Sequence, residues 1–357
     1  MKRKKAIDFL TVTLFFGILL SFTIYLGLGA MINADGGVVS GNGDRNISFN
    51  AEFFEDGILG DFVKFCDYRI FKHIDDSDMI IGKDDWLFEA VDSESGYERL
   101  LDYIGGCPFS DEELARIGGV ISERRMSYEE AGVEYIMIVI PDSMTVCSDK
   151  VPRYLGGQSE NTRLSALTAY LAGEGEPAFV NPAGEMIAGS EDMPMYNNTE
   201  NSINAYGAYC IYDAAVSRFF ADKGEEADRI YFEDVEFYTR VTDGRSVAVK
   251  AGLEKTIRNR TVSLSDNMPQ NYSVMSGEKG IMLTEHGDAL SAGNGKVVVE
   301  CSDEWVRTQL MPYFSNTFDK VYYRAGISAE HTDNLQYEPT LVVQIIHESE
   351  LAGLLEK

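Results

Sequence analysis

The chain has 357 residues, 45% of them hydrophobic, with 58 acidic against 31 basic side chains and a formal net charge of −27. That is enough for one large domain or two small ones. The charge excludes nucleic acid, whose phosphates need clustered Lys and Arg, and an anionic membrane face as main partner. Residues 2–5 read KRKK, and the run from Phe9 to Ile32 carries no charge. That run is long enough to cross a bilayer as a helix, and the basic cluster keeps the preceding stub, residues 1–8, in the cytoplasm. A cleaved signal peptide, with Gly27 and Gly29 near the cut, is the competing reading; the length of the run favours an uncleaved anchor at 9–32. Residues 33–48 follow as a Gly-rich linker, and 49–357 as an extracytoplasmic domain.

Within that domain, Phe49 to His73 shows apolar residues at helical spacing. Asp78 to Ala90, DMIIGKDDWLFEA, predicts a short strand, a Gly-Lys-Asp-Asp turn and a return strand. Ser110 to Ala131 predicts a helix opened by a capping box of Ser110 and Glu113. VEYIMIVIP, Val133 to Pro141, is a continuous apolar run, as expected of a strand covered on both faces. Asn161–Ala172 is an amphipathic helix, AFVNPA a short strand, and Asn204–Asp222 another helix. Residues 230–294 are turn-rich, with β-like pieces RSVAVKAG, RTVSLSD and GIMLTE. KVVVEC (Lys296–Cys301) is then a strand, Asp303–Phe318 a helix, KVYYRA a strand, and PTLVVQIIH (Pro339–His347) a last strand before a short C-terminal helix. Strand–helix alternation with all-apolar strands means an α/β fold with a doubly wound sheet.

The five cysteines, Cys66, Cys107, Cys147, Cys210 and Cys301, are far apart with no C-x-x-C pair. Zinc and thioredoxin-type centres therefore have no support, and neither a metal nor another cofactor is expected. Most are buried small hydrophobes on this reading, and one disulfide remains open outside the cytoplasm. The four histidines, His73, His286, His331 and His347, stand outside any motif, so surface or capping roles are the ordinary reading. His286 with Asp288 is the most triad-like pair. Asp142 and Ser143 follow a core strand, where sheets of this class place ligands, and Asp142 could equally cap the next turn.

The ordered series IIGKDDWLFEA, YIGGCPFSDEELARI, IMIVIPDSMTV, the loop from Tyr196 to Ala208, and KVVVECSDEWVRTQLMPYFSNTFDKVYY resembles the AlgX/AlgJ-like (DHHW) proteins. These are SGNH-hydrolase-like, membrane-anchored proteins linked to exopolysaccharide O-acetylation. The resemblance covers roughly Phe53 to Leu354. It implies a flavodoxin-like (SGNH-hydrolase-like), mostly parallel sheet with an irregular β-rich insertion at 230–294, behind one N-terminal transmembrane helix. It further implies a polysaccharide or cell-wall glycan as partner, a membrane-bound O-acyltransferase as a second partner, and a Ser-His-Asp triad. A serine nucleophile needs a base within hydrogen-bond reach, and that base needs a carboxylate to fix its tautomer.

Aligned on Asn204 and Gly207-Ala208, the family's Asp falls on Glu200, its His on Ser202 and its Trp on Ile203. Ser202 cannot act as a base near neutral pH. Counting back from Pro312 and Tyr313 without a gap puts Trp305 at the family's serine; with an insertion, Ser302 is the candidate nucleophile. Glu300 then stands where the family has the glycine of a tight turn. Asp142, Asn204 and Trp305 are candidate cleft residues. The favoured expectation is a catalytically impaired, glycan-binding or assembly subunit. The alternatives are an active Ser302-dependent acetyltransferase or acetylesterase, and an unrelated extracellular binding domain. A His imidazole beside Ser302 would favour the second; a wide separation of the Glu200 and Ser302 loops would favour the third.

Overall fold

The computed structural model describes residues 68, 78–92, 95–221, 228–276, 281–287, 294–327 and 331–356. The chain divides into two compact units, Met1–Phe53 and Phe54–Lys357, and all described residues belong to the second. The expected anchor at 9–32, the linker and most of the helix at 49–73 lie outside the described residues. Among the described residues no helix is long and apolar enough to cross a membrane.

The strands are β1 (Met79–Ile81), β2 (Leu87–Glu89), β3 (Glu134–Ile140), β4 (Phe179–Val180), β5 (Phe237–Asp243), β6 (Arg258–Leu264), β7 (Tyr272–Ser276), β8 (Met282–His286), β9 (Lys296–Cys301), β10 (Lys320–Ala325) and β11 (Leu341–His347). The α-helices are α1 (Arg99–Tyr103), α2 (Asp111–Glu130), α3 (Ser143–Val146), α4 (Arg163–Glu174), α5 (Ala183–Gly189), α6 (Ala205–Phe219), α7 (Val247–Lys250) and α8 (Glu304–Thr317).

The main sheet has seven strands in the order β4-β3-β11-β9-β10-β8-β7. The five from β4 to β10 are parallel, and β8 and β7 extend the edge antiparallel. Alternation along each strand splits the apolar side chains between two cores. Ile136, Ile138 and Ile140 of β3 join Val297 and Val299 of β9 and Leu341, Val343 and Ile345 of β11 on the face covered by α6 and α8. Tyr135, Met137 and Val139 join Val298, Val342 and Ile346 on the face covered by α2 and α4. Both faces are covered, so the strands are mostly apolar on both sides, with Glu300 and Gln344 as buried polar exceptions, and each fully buried Ile or Val contributes about 1.5–3 kcal/mol of transfer free energy. The α/β doubly wound reading holds in this mostly parallel sheet.

Local signals explain the element boundaries. Ser110 and Glu113 form the reciprocal capping box that opens α2. Thr162 caps α4, and Gly175 ends it in the left-handed conformation. The β1–β2 hairpin turns on Asp84 and Asp85, both at positive φ, a conformation Asp tolerates better than most residues.

Two expectations need correction. RSVAVKAG is no strand: Val247–Lys250 is one helical turn, and Val247 N donates to Thr199 O at 3.1 Å. The region 230–294 is not wholly an excursion, because β7 and β8 belong to the main sheet while β5 and β6 pair only with each other. The short C-terminal helix is present as a 3-10 helix, Glu348–Glu356. Cys107, Cys147, Cys210 and Cys301 are free thiols, so no bridge joins them; Cys66 lies outside the described residues.

Candidate functional site

Two segments meet at the carboxyl ends of the parallel strands. The first is the loop from Met195 to Asn204. It closes on itself through a Tyr196–Ile203 bridge and through Asn204 N donating to Met195 O at 3.0 Å. Tyr196 OH donates to Pro141 O just past β3. Gly207 is needed for this fit, since a Cβ there would lie 2.5 Å from Met195 O.

The polar side chains of this loop are structural clamps. Asn198, 2% exposed, donates to Asp85 O (2.9 Å) and Arg258 O (3.1 Å) and accepts from Arg260 N (2.6 Å). Thr199 Oγ1 donates to Asn259 Oδ1 (2.9 Å) and accepts from Arg245 N (3.1 Å). Asn201 donates to Glu89 Oε2 (2.6 Å) and accepts from Ser143 Oγ (3.4 Å). Asn204, expected in the cleft, is fully buried: Oδ1 caps α6 through Tyr206 N and Gly207 N, and Nδ2 donates to Pro194 O.

Asp142 is likewise structural. It accepts from the buried Arg99 Nε and from Met144 N at 2.8 Å, and it caps α3. Arg99 also reaches Asp92 at 3.2 Å and Glu89 at 3.7 Å, so its buried charge is neutralised on several sides. Asp142 N donates to Glu348 Oε2 at 2.6 Å. Burial and the nearby Asp142 charge push the Glu348 carboxyl up to about 8.

The second segment is the turn from β9 into α8. Glu300, matched to a tight-turn glycine, lies within β9 instead, 3% exposed and accepting from Asn334 Nδ2 at 2.9 Å. Asp303 caps α8 by accepting from Trp305 N and Val306 N. Trp305, 38% exposed, donates its indole N–H to Ile203 O at 2.9 Å. Tyr313, the aromatic after Pro312, donates to Ala205 O at 2.8 Å. The two loops are therefore joined, contrary to the separation an unrelated binding domain would show.

Ser302 is exposed and donates to Glu350 Oε1 at 2.7 Å. The other Glu350 oxygen accepts from His347 N at 2.8 Å. The His347 imidazole points its Nε2 at Asp303 Oδ2, 3.3 Å away. Burial opposes its charge, but the Asp303 hydrogen bond and the Glu350, Asp303 and Asp142 charges together raise its pKa. An imidazole thus lies in the corner of Ser302, yet the serine hydroxyl bonds a carboxylate. Of the other histidines, His286 holds Gly287 O at 3.1 Å on β8, His73 and Asp288 fall outside the described residues, and the surroundings of the His331 side chain are not described.

A cleft of about 350 Å³ opens where the loops meet. One wall is the β5–β6 hairpin, whose paired residues Tyr238 and Ser263, Arg240 and Thr261, and Thr242 and Asn259 all line it. The other carries Glu200, Arg245 and Trp305. Glu200 accepts from Asn197 Nδ2 at 2.7 Å and lies 4.0 Å from Arg245. Burial raises its pKa, against the lowering influence of Arg245, Asn197 and Ser202. Among the sequence candidates, Glu200 and Trp305 line the cleft, while Ser202, Ser302, Asp142 and Asn204 do not.

Sequence reasoning missed Arg240, Arg245, Arg99 and Glu348, and it gave His347 only a capping role. One signal was there for His347, since it ends a strand at the sheet's carboxyl edge. Arg99 meets Asp142 across 43 positions, a pairing no local pattern announces.

No family model matches the chain, and no curated protein matches it. Solved structures do. PatB1 of Bacillus cereus is 12% identical, with 77% of this chain and 97% of that one covered and a TM-score of 0.53. The same protein with a sulfonyl adduct gives 0.52. A DHHW family protein from Eubacterium siraeum is 12% identical, with 78% and 97% covered and a TM-score of 0.50. The resemblance to DHHW proteins therefore holds at the level of fold.

Proposed function

We propose that this chain is a membrane-anchored, extracytoplasmic, SGNH-hydrolase-like protein that binds a glycan and serves a polysaccharide or cell-wall O-acetylation system without a working Ser-His-Asp triad. One observation carries the reading: the cleft brings Glu200 and Trp305 together, and its lining includes neither a histidine nor Ser302. An exposed indole facing a wall of hydroxyl, amide and guanidinium groups suits a sugar ring, which needs an apolar platform and planar polar partners. The fold shared with a DHHW family protein, and the resemblance in sequence, supply the glycan and acetylation context. In this reading residues 9–32 anchor the chain and a membrane-bound O-acyltransferase supplies the acyl group.

The test measures binding of the full-length chain to acetylated and unacetylated oligosaccharides, with hydrolysis of p-nitrophenyl acetate in parallel. Trp305→Ala should weaken glycan binding about tenfold, as loss of an aromatic contact of about 1–1.5 kcal/mol implies. Unchanged binding in that variant removes the cleft from the proposal. The anchor is tested by retention on membranes after a high-salt wash.

The corner of Ser302, Asp303, His347 and Glu350 favours a second reading, an active serine acetylesterase or acetyltransferase. It requires a rotation that brings Ser302 from Glu350 to the imidazole. A rate abolished by both Ser302→Ala and His347→Gln would establish it.

A further inference from the structure

We propose that Glu200 is a general base that activates water, so that the cleft hydrolyses acyl esters slowly and without a serine nucleophile. The substrate class rests on the glycan-binding reading above: an ester on a sugar hydroxyl, held against Trp305.

The placement carries the idea. The Glu200 side chain is 11% exposed and lines the cleft, so its carboxylate is shielded yet reachable from one side. Asn197 Nδ2 fixes one oxygen at 2.7 Å. The other, Oε1, has the Arg245 guanidinium at 4.0 Å. Arg240 lines the same space and has no ion-pair partner among the described residues. One guanidinium beside the shielded carboxylate and a second in the same lining suit a reaction that develops negative charge on a carbonyl oxygen. Burial raises the carboxyl's pKa, which strengthens it as a base once ionised. The remaining charged group in the lining is the exposed Asp266.

In the step, the water oxygen bonds to the ester carbonyl carbon as Glu200 takes one of its protons. The tetrahedral oxyanion forms facing Arg240 and Arg245. The carbonyl then reforms, the carbon–oxygen bond to the sugar breaks, and the proton passes from Glu200 to the leaving sugar oxygen. A carboxylic acid and a free hydroxyl are released, and Glu200 is regenerated. The loss of a histidine at Ser202 matters less here, because the carboxylate acts on water directly.

The experiment follows acetate release from an acetylated oligosaccharide and from p-nitrophenyl acetate, using the full-length chain, Glu200→Gln, Glu200→Asp and Ser302→Ala. The expected result is a rate above buffer that falls 10²- to 10⁴-fold in Glu200→Gln. Glu200→Asp should fall less and keep a pH profile. In the wild type that profile rises through a pKa above the usual carboxylate range. Ser302→Ala should stay within twofold. No rate above buffer, an equal rate in Glu200→Gln, or a rate lost in Ser302→Ala would each overturn the proposal. Binding of the unacetylated oligosaccharide is measured beside it. Hydrolysis of p-nitrophenyl acetate without glycan binding would sink the glycan reading and leave the general base standing.

Discussion

The Met195–Asn204 loop and the Ser302–Trp305 turn meet beside one cleft, yet they are built on opposite principles. The loop is dense in Asn and Thr, buried, and bonded to segments far away in sequence. The turn is exposed at Ser302 and Trp305 and takes its order from a local helix cap and the end of β11. A polar loop before a helix can be a hub for folding, with one residue, here Glu200, lining the cleft. The density of polar side chains in a sequence therefore says little about which of them meets a ligand.

The sharpest way to break this contrast is Asn198→Ala. It leaves Arg260 N and two carbonyls without their partner in a part-buried place, at about 3 kcal/mol in total. Chemical denaturation should show that loss together with loss of glycan binding, as the β5–β6 wall detaches. A cost no larger than that of Ser302→Ala would erase the distinction between hub and turn.

Glu348 comes next. It supports the loop's neighbour Asp142 and holds a proton in the folded chain up to about pH 8, against an ordinary carboxylate value near 4.3 when unfolded. Its folded pKa is raised, so its contribution is complete below the unfolded value and is lost as pH rises through 8. Between pH 6 and 8 the wild type should lose about 2 kcal/mol that Glu348→Gln does not lose. Parallel stability curves for the two proteins would refute the assignment.

Asp303→Ala probes the turn. Removing the cap of α8 should cost about 1 kcal/mol. His347 also loses the partner that raises its pKa, so its NMR titration should move to lower pH. That part of the cost is present while His347 is protonated and vanishes as pH rises through its folded pKa. The smallest effect is Ser302→Ala, an exposed site, expected within about 0.5 kcal/mol of wild type in stability.

How far the sequence discloses this molecule follows the range of the interactions. Strands β3, β9 and β11 carry apolar residues on both faces over most of their length because both sides are covered, and that pattern is local. The capping box at Ser110 is local as well. Val247, Ala248 and Val249 form a short apolar run like a strand, but the segment is a helical turn whose Val247 N is taken by Thr199 O, a contact across 48 positions. Strand β8 joins the sheet only by pairing with β10, whose sequence lies well downstream. At the site, Trp305 and Glu200 were reachable by counting along the resemblance. Their meeting with Arg240 and Arg245 depends on a hairpin whose placement is set by Asn198.

Asn198 grips the hairpin through Arg258 O and Arg260 N, which are main-chain atoms, and Thr199 likewise accepts from Arg245 N. Five of the inward-facing hairpin positions, Tyr238, Arg240, Thr242, Thr261 and Ser263, take no part in that grip. Selectivity and foldability are thereby uncoupled at those positions. A combinatorial library randomised there, with Asn198, Thr199 and Asn259 held constant, should retain expression while exploring new ligands, and natural drift in this hairpin can retarget the cleft without rebuilding the domain.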